Sequence, residues 1–594
     1  MSTEELTLAA AFPPATREQW QKLVGKVLAG PDGPPADPEG ALTTHLLDGI
    51  DIAPLYTADD DRIPLGFPGQ APYTRGSSAA GHRTGWDVRQ RHAHPDPVAA
   101  REQVMEDLEN GVTSLWLGLG DGGTPIDALD AVLSEVLLDL APVVLDAGTA
   151  AGAAAGAFLT IAATRGVDNA DLRGNLGFDP LGHLARTGQP GDDGAATTFA
   201  QRAVEAYPHL RVLVADGLPF HEAGATDVQE LGLALTSGLA HVRLLERSGI
   251  PLAAAFGLVE MRLSATADQF STLAKMRAAR RTWARIADAC GVPAAATTQR
   301  IHAVSSWAML SRRDPWTNIL RGTLACFAAG VGGADSVTVR PFDAAIGLSD
   351  PLARRVARNT HALLVEESNV ARVIDPAGGS WYVDVLTEEL AQAAWAFFRE
   401  IEADGGLAAA LHDGLVADRL ATSRDDQRAQ LAHQDATVTG VSDFPLVGEI
   451  LLERPAAPSA PNGGLPRIRW SQGHEAARDR ADALTLAGRA PAVRTVTVGE
   501  AKGAARLAGQ LGALIAPGGL TAAADATSPV AVICAADAEA DAIASAATEA
   551  RAQGATRVLL WPATDAPLGV DGAIERKPDV LALFDELLTA LEAS

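Results

Sequence analysis

"RVLVADGLPFHEAGAT", residues 211–226, passes from an apolar run through a turn to a His-Glu pair, and a long helix-like segment follows. Strand, loop and helix in that order form the unit of a parallel α/β fold. In a barrel of such units, the acid and base sit at the carboxyl ends of the strands. The stretch therefore raises both the question of the fold and the question of whether His221 and Glu222 are such a pair.

Working outward, similar short apolar runs are "TSLWLGLG" from residue 113, "PVVLDAG" from 142, "NLGF" from 175, "PLAAAFG" from 251, "ADSVTVRPFD" from 334 and "ARVIDPAGG" from 371. Helical periods separate them, which predicts parallel strands with crossover helices. Seven or eight units in this space fit a (β/α)8 TIM barrel better than an open sheet. Residues 453–470, "ERPAAPSAPNGGLPRIRW", carry four prolines and a glycine pair and read as a linker without regular structure. Beyond it "RTVTVG" (494), "GALIAPGG" (512), "PVAVICAAD" (529) and "TRVLLWPA" (556) are strand-like runs between Ala-rich helical ones, as in a small doubly wound sheet. At the other end, residues 15–30 predict an amphipathic helix with a Thr start signal, followed by a Pro-rich extended stretch. The expected layout is an N-terminal arm over 1–60, a barrel over 61–410, a helical and Pro-rich linker over 411–490 and a small doubly wound domain over 491–594.

The chain has 594 residues, 47% of them hydrophobic and 21% charged, an ordinary globular balance. Its net charge of −26 argues against binding a phosphate backbone, so nucleic acid is not an expected partner. Cys290, Cys326 and Cys534 lie far apart and suggest no disulfide framework, which fits a reducing cytoplasm. The N-terminal stretch is acidic and proline-broken, unlike a signal peptide. The uncharged run 147–164 is about membrane length but Ala/Gly-rich, and reads as a buried helix.

Several longer stretches carry a resemblance: "PLGFPGQAPYTRG" (64–76), "WDVRQ" (86–90), "HEAGAT" (221–226), "AKMRAARRTWARI" (274–286), "DPWTNILRGTLACFAAGVGGADSVTVRPFD" (314–343) and "ARNTHALLVEESNVARVIDPAGGSWYV" (357–383). In order and spacing they resemble the methylmalonyl-CoA mutase family, over residues 40–410 and weakly through the C-terminal domain. The resemblance implies a substrate-binding (β/α)8 barrel, a linker and a flavodoxin-like domain that binds adenosylcobalamin.

The same resemblance implies which positions should carry the chemistry, and here the chain departs from the pattern. The His that hydrogen-bonds the thioester carbonyl falls on Pro219, which has neither a side-chain donor nor an N–H. His221 occupies a Gln position two residues along and reads as a remnant of the motif. Arg91 stands where a tyrosine is expected over the corrin, and its bulk and charge would tend to fill the cavity. Gly177 stands at a substrate-binding Gln. Thr187 replaces the arginine that pairs with the substrate carboxylate, and the one-residue shift to Arg186 is expected to rotate that side chain away. His302, Lys275, Arg277 and Arg280 match family residues and read either as leftovers of a CoA surface or as structural charges. In the C-terminal domain the Asp-x-His-x-x-Gly hallmark, whose His becomes the lower cobalt ligand, is missing. No histidine occurs after His474, and Trp561-Pro562 obstructs what would be a Gly-lined channel.

The resemblance with its reactive positions erased implies a non-catalytic small subunit, with no catalytic, cofactor-binding or metal residues of its own. A homologous large chain would bind adenosylcobalamin and the acyl-CoA substrate and form a heterodimer with it, and the arm 1–60 is a candidate for wrapping that partner. The alternative is a self-sufficient acyl-CoA mutase, or another CoA-dependent enzyme, with an altered site. A metallochaperone-like or regulatory binder is disfavoured, because the chain has no GxxxxGK[ST] loop.

Overall fold

The computed structural model describes residues 13, 15–31, 33–60, 66–81, 84–293, 298–564 and 569–593. A two-stranded antiparallel hairpin, β1 (Thr44–His45) and β2 (Asp51–Ile52), precedes the barrel. Eight parallel strands then close on themselves: β3 (Asp87–His92), β4 (Ser114–Gly118), β5 (Val143–Asp146), β6 (Gly174–Phe178), β7 (Leu210–Asp216), β8 (Val259–Ala265), β9 (Ile301–Ser305) and β10 (Ser336–Thr338), with β10 paired to β3. The fold is a TIM barrel with a second α/β sheet after it. That sheet is also parallel, in the order β12 (Thr521–Ala523), β11 (Ala492–Gly499), β13 (Val530–Ala536), β14 (Arg557–Trp561), β15 (Gly572–Ala573).

Side-chain alternation explains where the cores lie. Leu115 and Leu117 of β4, Met261 and Leu263 of β8, and Ile301 and Ala303 of β9 face the helices and belong to one continuous apolar core between strands and helices. The residues between them, Trp116, Glu260, Arg262 and His302, are buried outside that core and face the barrel axis. In the C-terminal sheet, Val530, Val532 and Cys534 pack on one face and Ala531 and Ile533 on the other, so both faces are covered.

Three runs expected as strands fold otherwise. "PLAAAFG" forms the helix Leu252–Gly257, and the strand is the next segment, Val259–Ala265. "ARVIDPAGG" forms a 3-10 turn, Val370–Arg372, and a loop whose Asp375 binds Arg75 at 3.0 Å and Arg277 at 3.3 Å. "GALIAPGG" is the end of the helix Ala501–Ile515 and a 3-10 turn. The strands β3 and β9 were not anticipated as such. The uncharged run at 147–164 does form a helix, Ala151–Thr164, with Ala154, Ala155 and Phe158 fully buried. Among the described residues, no helix is long and apolar enough to cross a membrane.

The helix Arg17–Val27 starts at Thr16 with a reciprocal capping box to Gln19. Glu39 holds it through Arg17 and Gln21, and Gly25 packs against Pro34 and Pro38. Its Leu23 and Val27 are 60% and 85% exposed, so an apolar face has no cover among the described residues. Residues 1–12, 14 and 32 of the expected arm lie outside the described residues.

Candidate functional site at the barrel mouth

At the carboxyl end of β7, the Asp216 carboxylate accepts from the Leu218 N–H at 2.9 Å and starts the short helix Leu218–His221. Gly224 turns the chain at φ +105°, and Thr226 caps the long helix Asp227–Arg247 with a second capping box. Pro219, at the position expected for the acid, is buried within the short helix and presents no donor. His221 Nε2 lies 2.7 Å from Ser306 Oγ, and Nδ1 is 3.7 Å from Glu230. Burial lowers its pKa, leaving a neutral, enclosed imidazole. Burial tends to raise the pKa of Glu222, but Arg467 and Arg340, at 2.5 and 3.0 Å, outweigh it and hold the group at about 2. Glu222 is thus a fixed anion between two guanidiniums, and both members of the pair in the opening stretch are engaged by side chains of the fold.

Along the axis, Arg262 lies 4.4 Å over the Trp116 ring, donates to Asp216 at 3.1 Å and gives its Nε–H to His302 Nδ1 at 3.3 Å. His302 Nε2 is 2.8 Å from Thr338 Oγ1, which in turn donates to the Arg89 carbonyl at 2.7 Å. This chain of bonds fixes the Nε2–H tautomer. Burial, with Arg89 and Arg262 nearby, pushes the His302 pKa well down. One layer below, Arg89 pairs with Glu260 at 2.7 Å. The axis is therefore occupied by the protein's own charged and aromatic side chains.

Arg91 extends above this layer, 5.1 Å from the Trp116 ring and 3.4 Å from Asp146. Gly177 sits at a register shift in β6 with φ +76°, and a Cβ there would collide with the Leu145 carbonyl oxygen. A Gln cannot take that place without rebuilding the strand. Thr187 turns back to its own helix, donating to the His183 carbonyl at 2.8 Å. Arg186 departs from expectation. Instead of rotating away, its guanidinium reaches Asp216 at 2.5 Å and Asp179 at 3.4 Å, because its length carries the charge to the mouth.

Lys275, Arg277 and Arg280 lie outside the mouth, fully buried in one helix. Lys275 pairs with Asp227 and Glu230, each at 2.6 Å, Arg277 with Asp384 at 2.7 Å and Arg280 with Asp335 at 2.9 Å. Each cation already has a carboxylate partner within the fold.

The Pro-rich segment 453–470 crosses the same end of the barrel. Leu348 N–H donates to Pro455 O at 2.8 Å, Leu465 N–H to Ala185 O at 2.7 Å, Ile468 N–H to Glu222 O at 2.8 Å and Trp470 N–H to Ala308 O at 2.9 Å. Arg454 binds Asp343 and Asp350, and Arg467 stacks 3.8 Å over Trp307. Sequence reasoning read this segment as a plain linker. It also missed the inward charges of β8, whose signal was a Glu and an Arg two apart in "VEMRLSA".

In the C-terminal sheet, the Trp561 indole is buried and donates to the Leu507 carbonyl at 3.1 Å. Glu500 caps the helix Ala501–Ile515, accepting from Lys502 and Gly503 N–H, so a side chain of this chain already fills the helix terminus after β11. Residues 491–594 hold no imidazole, the neighbouring His474 packs edge-on against Phe584, and Trp561 fills the interior, so these residues do not fit a cobalamin.

The model of the family described as methylmalonyl-CoA mutase matches residues 45–124 and 118–456. The chain is 53% identical to a methylmalonyl-CoA mutase small subunit of Streptomyces virginiae, over 84% of this chain and 81% of that protein. It is 40% identical to a small subunit of Propionibacterium freudenreichii subsp. shermanii, over 81% of this chain and 76% of that one. A probable small subunit of Mycobacterium tuberculosis is 38% identical, over 97% of this chain and 98% of its own length.

Proposed function

The chain belongs to the methylmalonyl-CoA mutase family, a family of isomerases, and on that premise we propose that it is the small, non-catalytic subunit of a heterodimeric mutase. A homologous large subunit binds adenosylcobalamin and acyl-CoA and interconverts methylmalonyl-CoA and succinyl-CoA in the cytoplasm. This chain supplies no catalytic, metal or cofactor-binding residue and contributes contact surface, with residues 1–60 as a partner-contacting arm. The observation that carries the reading is the barrel axis. Pro219 stands at the position of the acid, and Trp116, Arg262 and His302 occupy the interior behind it. The names of the relatives support the word subunit.

Co-expression with the large chain, followed by size analysis and visible absorbance, tests this. The expected result is a one-to-one complex that binds corrinoid and is active, and an isolated small chain that does neither. An active isolated chain would favour the self-sufficient enzyme instead.

A further inference from the structure

The barrel mouth holds more cations than its own carboxylates neutralise. Asp146 lies among Arg91, Arg186 and Arg262, and Glu222 among Arg340, Arg467 and Arg186. Asp216 and Asp179 complete the set, bound by Arg186 and Arg262. Five guanidiniums thus face four carboxylates. Of the four, Asp179 is pushed by burial to about 7 despite Arg186, so it carries only part of a charge near neutrality.

Two donors at this level are unused. Arg262 Nη2 and Trp116 Nε1 have no hydrogen-bond partner among the described residues, and both residues are 3% exposed. A buried donor left without a partner loses its hydration and gains nothing in return, so two of them beside an excess of positive charge are a standing demand for an acceptor. Arg340 reports the same imbalance. Burial first, and then Arg467 and Arg91, push its guanidinium down to about 10, although Glu222 opposes them.

The mouth is only partly covered. The segment 463–470 lies over β6, β7 and β9, through its bonds to Ala185, Glu222 and Ala308. Beside it, the side chains of Arg91, Arg186 and Asp146 remain 41%, 33% and 33% exposed. We propose that this exposed cluster is a binding site for a small oxyanion, a carboxylate or phosphate group, held by Arg91, Arg186 and Arg262 above the Trp116 ring. The site takes a small ligand, because the axis below is filled by Arg89, Glu260 and His302. It goes beyond the subunit role and holds whether or not that role is correct, since it is read on the isolated chain.

The test is calorimetric titration of the full-length chain with inorganic phosphate and with acetate, at ionic strength held constant with sodium chloride. The expected result is saturable binding of one or both anions, one per chain; which of them binds identifies the group recognised. Arg91→Gln should weaken binding tenfold or more, and Arg91→Lys should recover part of the loss. Asp146→Asn, which removes a competing carboxylate, should tighten binding several-fold. Arg285→Gln, on the outer surface at 63% side-chain exposure, should leave binding unchanged. No saturable heat with either anion overturns the proposal, as does binding that survives Arg91→Gln undiminished or weakens in Asp146→Asn.

Discussion

Trp561 Nε1 donates to the Leu507 carbonyl at 3.1 Å, joining β14 to the helix Ala501–Ile515 through the interior of the C-terminal domain. Both residues belong to the same apolar core as Leu511, Val532 and Phe584. Trp561→Ala should therefore destabilise the domain by about 3–5 kcal/mol, the usual cost of a large-to-small core change. It should not create corrinoid binding, because residues 491–594, which form the sheet and its helices, contain no imidazole. Urea unfolding followed by far-ultraviolet circular dichroism measures the first effect, and visible absorbance after incubation with adenosylcobalamin measures the second.

Pro219→His alone should not produce mutase activity. The new imidazole would stand in a buried helical turn, while Arg91, Gly177 and Thr187 stay unsuited to cofactor and substrate. Conversion of methylmalonyl-CoA by the purified variant is the assay, and detectable succinyl-CoA would mean that the mouth is far less altered than its geometry suggests.

Leu23→Asp with Val27→Asp should leave the chain folded, since both side chains are largely exposed on one face of the helix Arg17–Val27. If that face docks on the large subunit, burying two carboxylates in an apolar contact should weaken assembly at least tenfold. Heterodimer titration by light scattering decides the matter, and an unchanged affinity would remove the helix from the interface.

Glu475 is fully buried and accepts from Arg469, Arg312 and Ser471. Burial raises its pKa, but these partners outweigh burial and hold it at about 2, below the ordinary 4.5. The stabilisation, about 3 kcal/mol, is fully present above the unfolded value and is lost as pH falls towards the folded one. Glu475→Gln should cost about 3–5 kcal/mol near neutrality, having left two arginines short of a partner. The gap between variant and parent should narrow by about half at pH 3. Urea midpoints at the two pH values supply the comparison.

Gly177→Ala should destabilise the barrel by at least about 2 kcal/mol. The left-handed backbone at φ +76° disfavours a Cβ, and the Leu145 carbonyl blocks it. A variant as stable as the parent would mean that β6 tolerates a different register.

Most of the architecture was legible because β4, β5, β7, β13 and β14 are short apolar runs bounded by turns. The strand β8 was passed over for the helix before it. In "VEMRLSA" every second residue faces a polar axis, so a buried parallel strand carries charges that an apolar-run criterion rejects. The end of the helix Ala501–Ile515 failed for the opposite reason, since "GALIAPGG" is apolar at both periods. At the site, the erased positions Pro219, Arg91, Gly177 and Thr187 could be read one residue at a time. What replaced them could not, because Arg186 to Asp216, Arg262 to His302 and Arg467 to Glu222 join residues 30 to 245 apart in the chain.

A surface segment with four prolines would ordinarily be where a protease enters and where a gene can be cut into two folding pieces. Residues 453–470 hydrogen-bond the loops after β6, β7, β9 and β10, and the helix that follows them, Gln472–Leu486, binds Arg312 and Arg313 of the barrel through Glu475, Asp479 and Asp482. The segment is joinery rather than tether. Nicking it should leave two fragments that remain associated and co-purify, and expressing either half alone should expose the surface that this joint covers.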